Sequence, residues 1–217
     1  MRVLITSGGT REPIDGVRVI ANSSTGATGA ALADAFCKAG FTVTLLRARH
    51  SVAPNLTVTE RFFVTVADLD SIGQELLSSQ DFDLVIHAAA VSDFVVEAVV
   101  AEGVRHAAPF TGKLSSTHRL SIELMPGKKI LPELKSYSRN PNVRLVGFKL
   151  TEGASEAKIR EAVAKVLAAG ADLVVHNDQQ TMETTRAVLW DATGPGAPLP
   201  DLLTLCDALV GYASATD

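Results

Sequence analysis

The residues with the clearest chemical potential lie between two glycine-containing segments near the start of the chain. Gly8 and Gly9 follow a short apolar run, and Gly26 and Gly29 lie where an alanine-rich run begins. Serine and threonine hydroxyls before a helix can cap free backbone amides, and glycine lets a ligand or a neighbouring strand come close. Because the amides at a helix N-terminus favour phosphate, this pattern predicts a phosphate-binding segment.

These glycines also have a purely structural interpretation, since many α/β proteins use such glycines only for turn geometry. The segment between them argues against that interpretation. A plain dinucleotide-binding fold passes from strand to helix within a few residues, whereas residues 10–25 form a long polar loop here. Its charged and amide side chains are Arg11, Glu12, Asp15, Arg18 and Asn22.

The elements around this loop predict a parallel βαβ unit. Residues 2–6 are apolar and rich in β-branched side chains, as in a buried strand, and residues 27–38 carry apolar side chains at helical spacing. Gly40 follows as the expected C-terminal residue of that helix. Residues 41–46 form the second predicted strand, and a connection of this kind is right-handed.

The rest of the chain continues to alternate between strands and helices. This alternation predicts one domain, residues 1–217, with a Rossmann-like, three-layer, doubly wound and mostly parallel α/β sheet. Further strands are predicted at 56–64, from Asp83 onwards, and at 120–124, 143–150, 172–178 and 186–191, the last of the sheet. Helices are predicted at 67–79, 128–135, 155–169 (capped by Ser155) and 202–212. We predict no element at 95–110 and a turn-rich loop at 192–200.

Composition argues against several classes of protein. The net charge of -4 gives no basic surface for nucleic acid, and no apolar run is long enough to span a bilayer. Cys37 and Cys206 lie in apolar helical patterns, as buried free thiols do, which fits a cytoplasmic protein. The five histidines lack the spacing of metal ligands, so we expect no metal held by the protein alone.

A second segment with chemical potential follows the strand that begins at Asp83. Three consecutive alanines, Ala88 to Ala90, would let the backbone approach a ligand at the carboxyl edge of the sheet, where open α/β sheets bind ligands. Asp93 adds a carboxylate just beyond them. From the residues alone, Asp93 is interpreted equally well as a site residue or as a helix cap.

These segments together resemble the phosphopantothenoylcysteine synthetase family, the phosphopantothenate–cysteine ligases of coenzyme A biosynthesis. Residues 6–15 (TSGGTREPID) with 17–18 and 22–29 (NSSTGATG) resemble the opening of the family, and 89–93 (AAVSD) match its A-A-V-x-D motif. Residues 172–178 match a third motif, and the resemblance extends over essentially the whole chain. It covers the ligase alone, so it implies no flavin.

The resemblance implies a reaction in two steps. The carboxylate of 4′-phosphopantothenate attacks the α-phosphorus of CTP or ATP, which gives an acyl nucleotide and pyrophosphate. The amine of cysteine then attacks the acyl group and releases the nucleoside monophosphate. Magnesium would accompany the triphosphate, and the protein would be a cytoplasmic homodimer that acts on small molecules rather than on nucleic acid or membranes.

The resemblance also implies the residues of the site. Asn22 and Lys113 are the expected catalytic residues: Asn22 orients the acyl intermediate, and Lys113 closes over the α-phosphate from a mobile lid at 93–118. The expected nucleotide- and phosphate-binding residues are Gly8, Gly9, Ser24, Gly26, Gly29, Ala89, Ala90, Asp93, Phe148, Lys165 and Asn177.

Five positions depart from the family pattern. Ser115, Ser116 and Ala169 replace lysines, so the choice between CTP and ATP stays open. Lys149 and Leu150 replace a pair of small residues, and the charge of Lys149 could serve a phosphate or an acidic side chain.

Two alternative functions remain. The first is an NADP-dependent reductase, because Arg47 and Arg49 end the second strand, where arginine can accept the extra phosphate of NADP. Neither Tyr137 nor Tyr212 begins the Y-x-x-x-K pattern of such enzymes, and two solvated arginines are an equally good interpretation. The second is a non-catalytic protein that binds nucleotide without turnover.

Overall fold

The computed structural model describes residues 1–111 and 119–215, and a mixed eight-stranded sheet lies at its centre. In spatial order the strands are β13 (Gly194–Leu199), β12 (Ala187–Asp191), β11 (Leu173–Asp178), β10 (Arg144–Thr151), β6 (Leu84–His87), β1 (Arg2–Ser7), β4 (Thr42–Ala48) and β5 (Thr59–Phe63). The strands from β11 to β5 in this order run parallel to one another. Strand β12 pairs antiparallel with β11, and β13 pairs antiparallel with β12. The predicted doubly wound α/β fold is therefore confirmed.

Helices cover both faces of this sheet. On one face lie α1 (Ala27–Lys38) and α5 (Leu202–Ser214), and on the other lie α2 (Val66–Ser79), α3 (Leu134–Tyr137) and α4 (Glu156–Ala168). Successive side chains of β1 serve the two cores in turn, Val3 and Ile5 on one side and Leu4 on the other. Because both faces are covered, the central strands are mostly apolar, and polar residues such as Thr6 and His87 lie towards their carboxyl ends.

The winding of the chain reverses between β1 and β6. From β1 the chain runs through α1 to β4 and β5, and it then returns through α2 to β6 on the other side of β1. Beyond the two strands, the Ala90 N–H donates to the Gly8 carbonyl at 2.8 Å and the Thr10 N–H donates to the Ala90 carbonyl at 3.1 Å. Open α/β sheets bind ligands at such a reversal, outside the carboxyl ends of the strands.

The polar loop after β1 contains a small hairpin that the sequence did not predict. Its strands are β2 (Arg11–Pro13) and β3 (Val19–Ala21), which pair in antiparallel fashion. Buried Glu12 accepts a hydrogen bond of 2.8 Å from the Val66 N–H, which fixes the hairpin to the start of α2. The loop is therefore ordered by its own backbone pairing and by a carboxylate at a helix N-terminus.

The prediction of no element at 95–110 was wrong. Strands β7 (Phe94–Ala101), β8 (Val104–Ala107) and β9 (Leu120–Pro126) form a separate antiparallel sheet, which we call the arm. Glu102 and Gly103 turn the first hairpin with φ of 54° and 79°, as two-residue hairpins require. The buried face of the arm packs against Ile14 from the insertion after β1.

Two further predictions at the C-terminal side need correction. Residues 192–200 contain strand β13 rather than only a loop, and its prolines are compatible with an edge strand. The helix expected at 128–135 begins later, as a 3₁₀ turn at Leu131–Glu133 that runs into α3. The other predicted elements lie within three residues of their expected bounds.

Gly29 and Gly73 give a matched test of how closely α1 packs on β1. A Cβ at Gly29 would lie 2.4 Å from Ser7 Cβ, whereas a Cβ at Gly73 in α2 would meet nothing within 4 Å. We expect Gly29→Ala to lower the free energy of unfolding by about 1–3 kcal/mol through overpacking. Gly73→Ala should instead raise it by about 1 kcal/mol through helix propensity. Urea denaturation measures both, and effects of the same sign would contradict this packing.

Candidate functional site

A cleft of about 920 Å³ lies at the carboxyl ends of β6 and β10, beside the reversal point. Its most buried members are Ile130, Ser92 and His87, with exposed fractions of 2%, 5% and 6%. Its charged members are Asp93, Lys129, Lys149, Lys158, Glu161 and Lys165. The cleft therefore has an uncharged interior and a charged rim.

A smaller cavity of about 330 Å³ lies between the insertion after β1 and the end of β4, close to the start of α1. Its lining includes Gly9, Arg11, Ser24 and Thr25. Gly26, with φ of 79°, occupies the N-cap position of α1, and no side chain caps the helix there. The first turn of α1 and the Arg11 guanidinium are both suited to an anion.

The two cavities share Asn22 and Ser23. The Asn22 side-chain amide donates to the Val91 carbonyl at 3.0 Å, which links the insertion to the segment after β6. This bond fixes the direction of the Asn22 side chain at the boundary between the two cavities. One ligand, or two ligands in contact, could therefore extend beside Asn22 across both cavities.

His87 lies inside the larger cleft as a neutral imidazole. Its Nδ1 is 2.9 Å from Thr6 Oγ1, and Thr6 Oγ1 also accepts a hydrogen bond of 3.2 Å from the Ala89 N–H. Burial lowers the pKa of His87 to about 4. The protein therefore has an uncharged polar side chain at the bottom of the cleft at neutral pH.

The four lysines that line the cleft differ in whether they form an ion pair. Lys129 forms an ion pair with Asp93, and Lys165 forms one with Glu161 at 2.7 Å. Lys149 and Lys158 form no ion pair with any residue in 1–111 or 119–215. Lys149 and Lys158 are therefore the cations most available to an incoming anion.

Lys158 is a site residue that the sequence-based assignment missed. It lies about two helical turns before Lys165 on α4, on the face that lines the cleft. The spacing of these two lysines was a usable signal, because residues two turns apart share one face of a helix.

The carboxylate of Asp178 holds the start of α4 in place. It accepts hydrogen bonds from Thr151 Oγ1 at 2.6 Å and from the amides of Gly153 and Ala154 at 3.0 and 3.3 Å. The Thr151 hydroxyl and these amides lower the pKa of Asp178 well below its usual value. The expected Ser155 cap is not formed, since the Ser155 side chain makes no capping hydrogen bond.

Most of the predicted binding residues do come together. Around the larger cleft lie Asn22, Ala89, Ala90, Asp93, Phe148 and Lys165, with Lys149 and Ala169, and around the smaller cavity lie Gly9, Asn22 and Ser24. Lys113, Ser115 and Ser116 lie outside the described residues.

Four of the predicted binding residues line neither cavity. A Cβ at Gly8 or Gly26 would lie 2.7 Å from Ser51 Cβ, so close packing requires glycine there, as it does at Gly29. Packing therefore explains the glycines at positions 8, 26 and 29, as the purely structural interpretation expects. Asn177 is buried, and its amide donates to the Arg186 carbonyl at 2.6 Å, so its side chain is engaged within the fold.

Arg47 is also engaged within the fold. Its guanidinium forms an ion pair with Glu60, donates to the Ser51 carbonyl at 3.0 Å and lies over the Phe62 ring at 4.8 Å. Arg49 lies over the same ring at 5.7 Å. A 2′-phosphate would have to displace these contacts, so the structure gives the reductase alternative no support.

No helix in 1–111 or 119–215 is long and apolar enough to cross a membrane. In the same part of the chain, no group of three or more His, Cys, Asp or Glu side chains is arranged to hold a metal ion.

Comparison with known proteins points to one family. The model of the "DNA/pantothenate metabolism flavoprotein C-terminal domain" matches residues 1–194. The coenzyme A biosynthesis bifunctional protein CoaBC of Methanocaldococcus jannaschii is 36% identical over 178 residues, which is 82% of this chain and 40% of that protein. The chain thus spans about two fifths of the length of the curated relatives it matches.

Solved structures agree in fold. The DNA/pantothenate metabolism flavoprotein from Streptococcus pneumoniae superposes with a TM-score of 0.85 at 27% identity, over 98% of this chain and 97% of that one. A Cab2 mutant in complex with phosphopantothenate-cysteine superposes with a TM-score of 0.70 at 22% identity, over 99% of this chain and 89% of that one. At that identity, the second comparison shows a shared fold.

His87 should make the protein less stable in acid. Between its ordinary pKa of 6.5 and its folded pKa of about 4, only the unfolded chain binds a proton at His87, so the free energy of unfolding falls as the pH falls. At about 1.4 kcal/mol per pKa unit, His87 accounts for a loss of about 3 kcal/mol over that range.

Urea denaturation near pH 7 and near pH 4.5 tests this expectation. His87→Gln cannot take up the proton, so its stability should fall less with pH than that of the wild type. His50→Gln, at an exposed histidine, is the matched control and should follow the wild type. The same pH dependence in His87→Gln and the wild type would contradict the burial of a neutral His87.

Proposed function

The chain belongs to the family of the DNA/pantothenate metabolism flavoprotein C-terminal domain, and on that premise we propose that it is a ligase of coenzyme A biosynthesis. The reaction joins 4′-phosphopantothenate to cysteine through an acyl-nucleotide intermediate made from CTP or ATP. The name of the M. jannaschii relative and the phosphopantothenate-cysteine in the Cab2 complex support this choice of substrates. The substrates are small molecules, with no nucleic acid or membrane involved.

The observation that carries the proposal is the meeting of two unlike cavities at Asn22 and Ser23. The larger cleft has an uncharged interior, Phe148 and a lysine rim, which suit a nucleoside triphosphate. The smaller cavity is lined by Arg11 and by Ser24 and Thr25, just before the start of α1, and a cation beside a helix N-terminus suits the phosphate of 4′-phosphopantothenate. A ligase that activates a carboxylate must bring these two substrates together, and Asn22 lies where they would meet.

In the first half-reaction, a carboxylate oxygen bonds to the α-phosphorus while the bond to pyrophosphate breaks. Such a reaction needs alignment and charge neutralisation more than a protein nucleophile. Lys149 and Lys158 would offset the charge of the phosphates. Lys113 would close over the α-phosphate, within a lid that we propose to comprise residues 93–118.

Magnesium would enter with the triphosphate. The carboxylates that line the cleft are Asp93 and Glu161, and each is already paired with a lysine. This donor set fits an ion held mainly by phosphate oxygens and water, as Mg²⁺ usually is at nucleotide sites. The ion would supply further charge neutralisation when bound, and no flavin takes part in either half-reaction.

In the second half-reaction, the amine of cysteine attacks the acyl carbon, an amide bond forms, and the nucleoside monophosphate leaves. The amine must approach while the acyl group is held still. We assign that task to the side-chain amide of Asn22, whose bond to the Val91 carbonyl fixes its direction. Asn22 is thus a catalytic residue of the second step rather than of the first.

We also propose that the ligase is a cytoplasmic homodimer. The arm exposes large apolar side chains at Phe94, Ile122, Leu124 and Met125, and a patch of this kind favours a partner surface. Cys37 and Cys206 are free thiols, which suits a reducing compartment. Sedimentation velocity at micromolar concentration should give the mass of two chains, and the mass of one would contradict the dimer.

The variant Asn22→Asp tests the division of roles between the half-reactions. A carboxylate cannot donate to the Val91 carbonyl or to the acyl oxygen, so amide formation should fall by about 10²–10³-fold, as when one oriented donor is lost. Pyrophosphate release in the absence of cysteine should persist at a rate near that of the wild type.

Rapid-quench measurement of pyrophosphate and of amide product separates the two steps. Asn142→Asp, at an exposed asparagine remote from the cleft lining, controls for the added charge. An equal loss of both half-reactions in Asn22→Asp would remove Asn22 from the second step.

A further inference from the structure

We propose that His87 recognises the base of the bound nucleotide, with its Nε2–H donating a hydrogen bond to an acceptor atom on the base. The inference rests on the proposed function, because it takes the ligand of the larger cleft to be a nucleotide. It names a ligand-binding role for a buried side chain that neither half-reaction uses.

The hydrogen bonds around Thr6 fix the tautomer of His87. Thr6 Oγ1 already accepts a hydrogen bond from the Ala89 N–H, and His87 Nδ1 is its other neighbour at 2.9 Å. In the part of the chain that the structure describes, the Thr6 hydroxyl proton has no acceptor other than Nδ1, and a buried hydroxyl would be left unsatisfied without one, so we assign this proton to a hydrogen bond with Nδ1. The remaining proton of the neutral imidazole is therefore on Nε2.

The Nε2–H of His87 is available to a ligand. Within residues 1–111 and 119–215, the His87 side chain makes no hydrogen bond other than the one to Thr6. His87 Nε2 is also not among the fully buried polar atoms that lack a partner, and the residue lines the cleft. A donor that faces a cleft with no protein partner is suited to an acceptor on the ligand.

The surroundings of His87 select a base rather than a phosphate. His87 pairs in register with Gly147 of β10, and a Cβ at Gly147 would lie 2.7 Å from Val166 and 2.8 Å from Leu131. α4 and the 3₁₀ turn therefore bring apolar side chains against the sheet beside the imidazole. The lysines that could hold phosphate occupy the charged rim, so an uncharged, planar group fits the interior better.

Burial keeps the imidazole neutral at physiological pH, since it lowers the pKa of His87 to about 4. A neutral donor of this kind recognises any base with a nitrogen or oxygen acceptor at the right place. Cytosine and adenine both have such acceptors, so His87 favours a nucleotide over bare polyphosphate without deciding between CTP and ATP.

Two substitutions separate the two nitrogens of His87. The amide of asparagine reaches the position of Nδ1, so His87→Asn can keep the contact with Thr6 while it removes the donor in the cleft. The amide nitrogen of glutamine reaches the position of Nε2, so His87→Gln can keep that donor. Both proteins are first compared with the wild type by thermal unfolding.

Isothermal titration of CTP, ATP and inorganic tripolyphosphate, each with magnesium, tests the proposal. We expect His87→Asn to weaken the binding of the nucleotides about tenfold, or about 1.4 kcal/mol, and to leave tripolyphosphate binding unchanged. His87→Gln should recover most of the nucleotide affinity. Lys158→Gln is the matched comparison and should weaken all three ligands.

The outcomes are distinguishable. If His87→Asn weakens nucleotide and tripolyphosphate equally, or neither, or if His87→Gln binds no better than His87→Asn, the role of His87 is overturned while the ligase proposal stands. If the wild type binds neither CTP nor ATP, the proposed function itself fails, and the inference fails with it.

A measurement on the unaltered protein covers the case in which the variants do not fold. In ¹⁵N spectra of histidine-labelled protein near pH 7, one neutral Nε2–H imidazole should shift when CTP or ATP saturates the cleft. It should shift little with tripolyphosphate. An Nδ1–H tautomer, or the same shift with tripolyphosphate, would overturn the proposal.

Discussion

The structure depends on the close approach of two backbone segments just beyond the carboxyl ends of β1 and β6. There the Gly8 carbonyl accepts a hydrogen bond from Ala90, and the Ala90 carbonyl accepts one from Thr10. The residues that meet there, Gly8, Thr10 and Ala90, are small because the two main chains must contact each other directly. The same lack of large side chains opens the edge of the sheet to a ligand. Asn22 lies at this junction through its bond to the Val91 carbonyl. The two cavities therefore meet where main-chain and side-chain hydrogen bonds join the two segments.

An acidic protein that binds a triphosphate must concentrate its cations locally. Among the residues that the structure describes, two of the four lysines at the cleft are paired with carboxylates and two are not. Ion pairs between exposed side chains contribute about 0–1 kcal/mol. Lys129 and Lys165 could therefore exchange their carboxylate partners for phosphate at little cost, and Asp93 and Glu161 offset part of the repulsion among the lysines of the cleft.

The sequence was sufficient for the features that depend on local pattern. The βαβ unit at the start of the chain follows from strand and helix periodicity together with glycine punctuation. The AAVSD segment was found through the family resemblance, whereas composition left Asp93 ambiguous. The arm was missed because its buried face is completed by Ile14, from a distant hairpin. The strand β13 was missed because its prolines and glycines resemble those of a loop.

In the candidate site, too, local motifs identify some residues, whereas the roles of others depend on distant parts of the chain. Asn22, Ala89 and Lys165 were found by motif and do line the cleft, whereas Asn177 matched a motif and is engaged with Arg186 instead. His87 looked like one more residue of a buried strand. Its tautomer is set by Thr6, which is 81 residues away in the chain, and its access to the cleft is set by Gly147. Such roles depend on tertiary neighbours that no local pattern contains.

The most direct test of the ligase mechanism is the order in which pyrophosphate and amide product appear. Purified protein is mixed with magnesium, 4′-phosphopantothenate and either CTP or ATP, and cysteine is added second. The mechanism predicts that pyrophosphate is released with at least one nucleotide before cysteine is added, and that the amide product forms only afterwards. No pyrophosphate with either nucleotide, under conditions in which an established ligase is active, would contradict it.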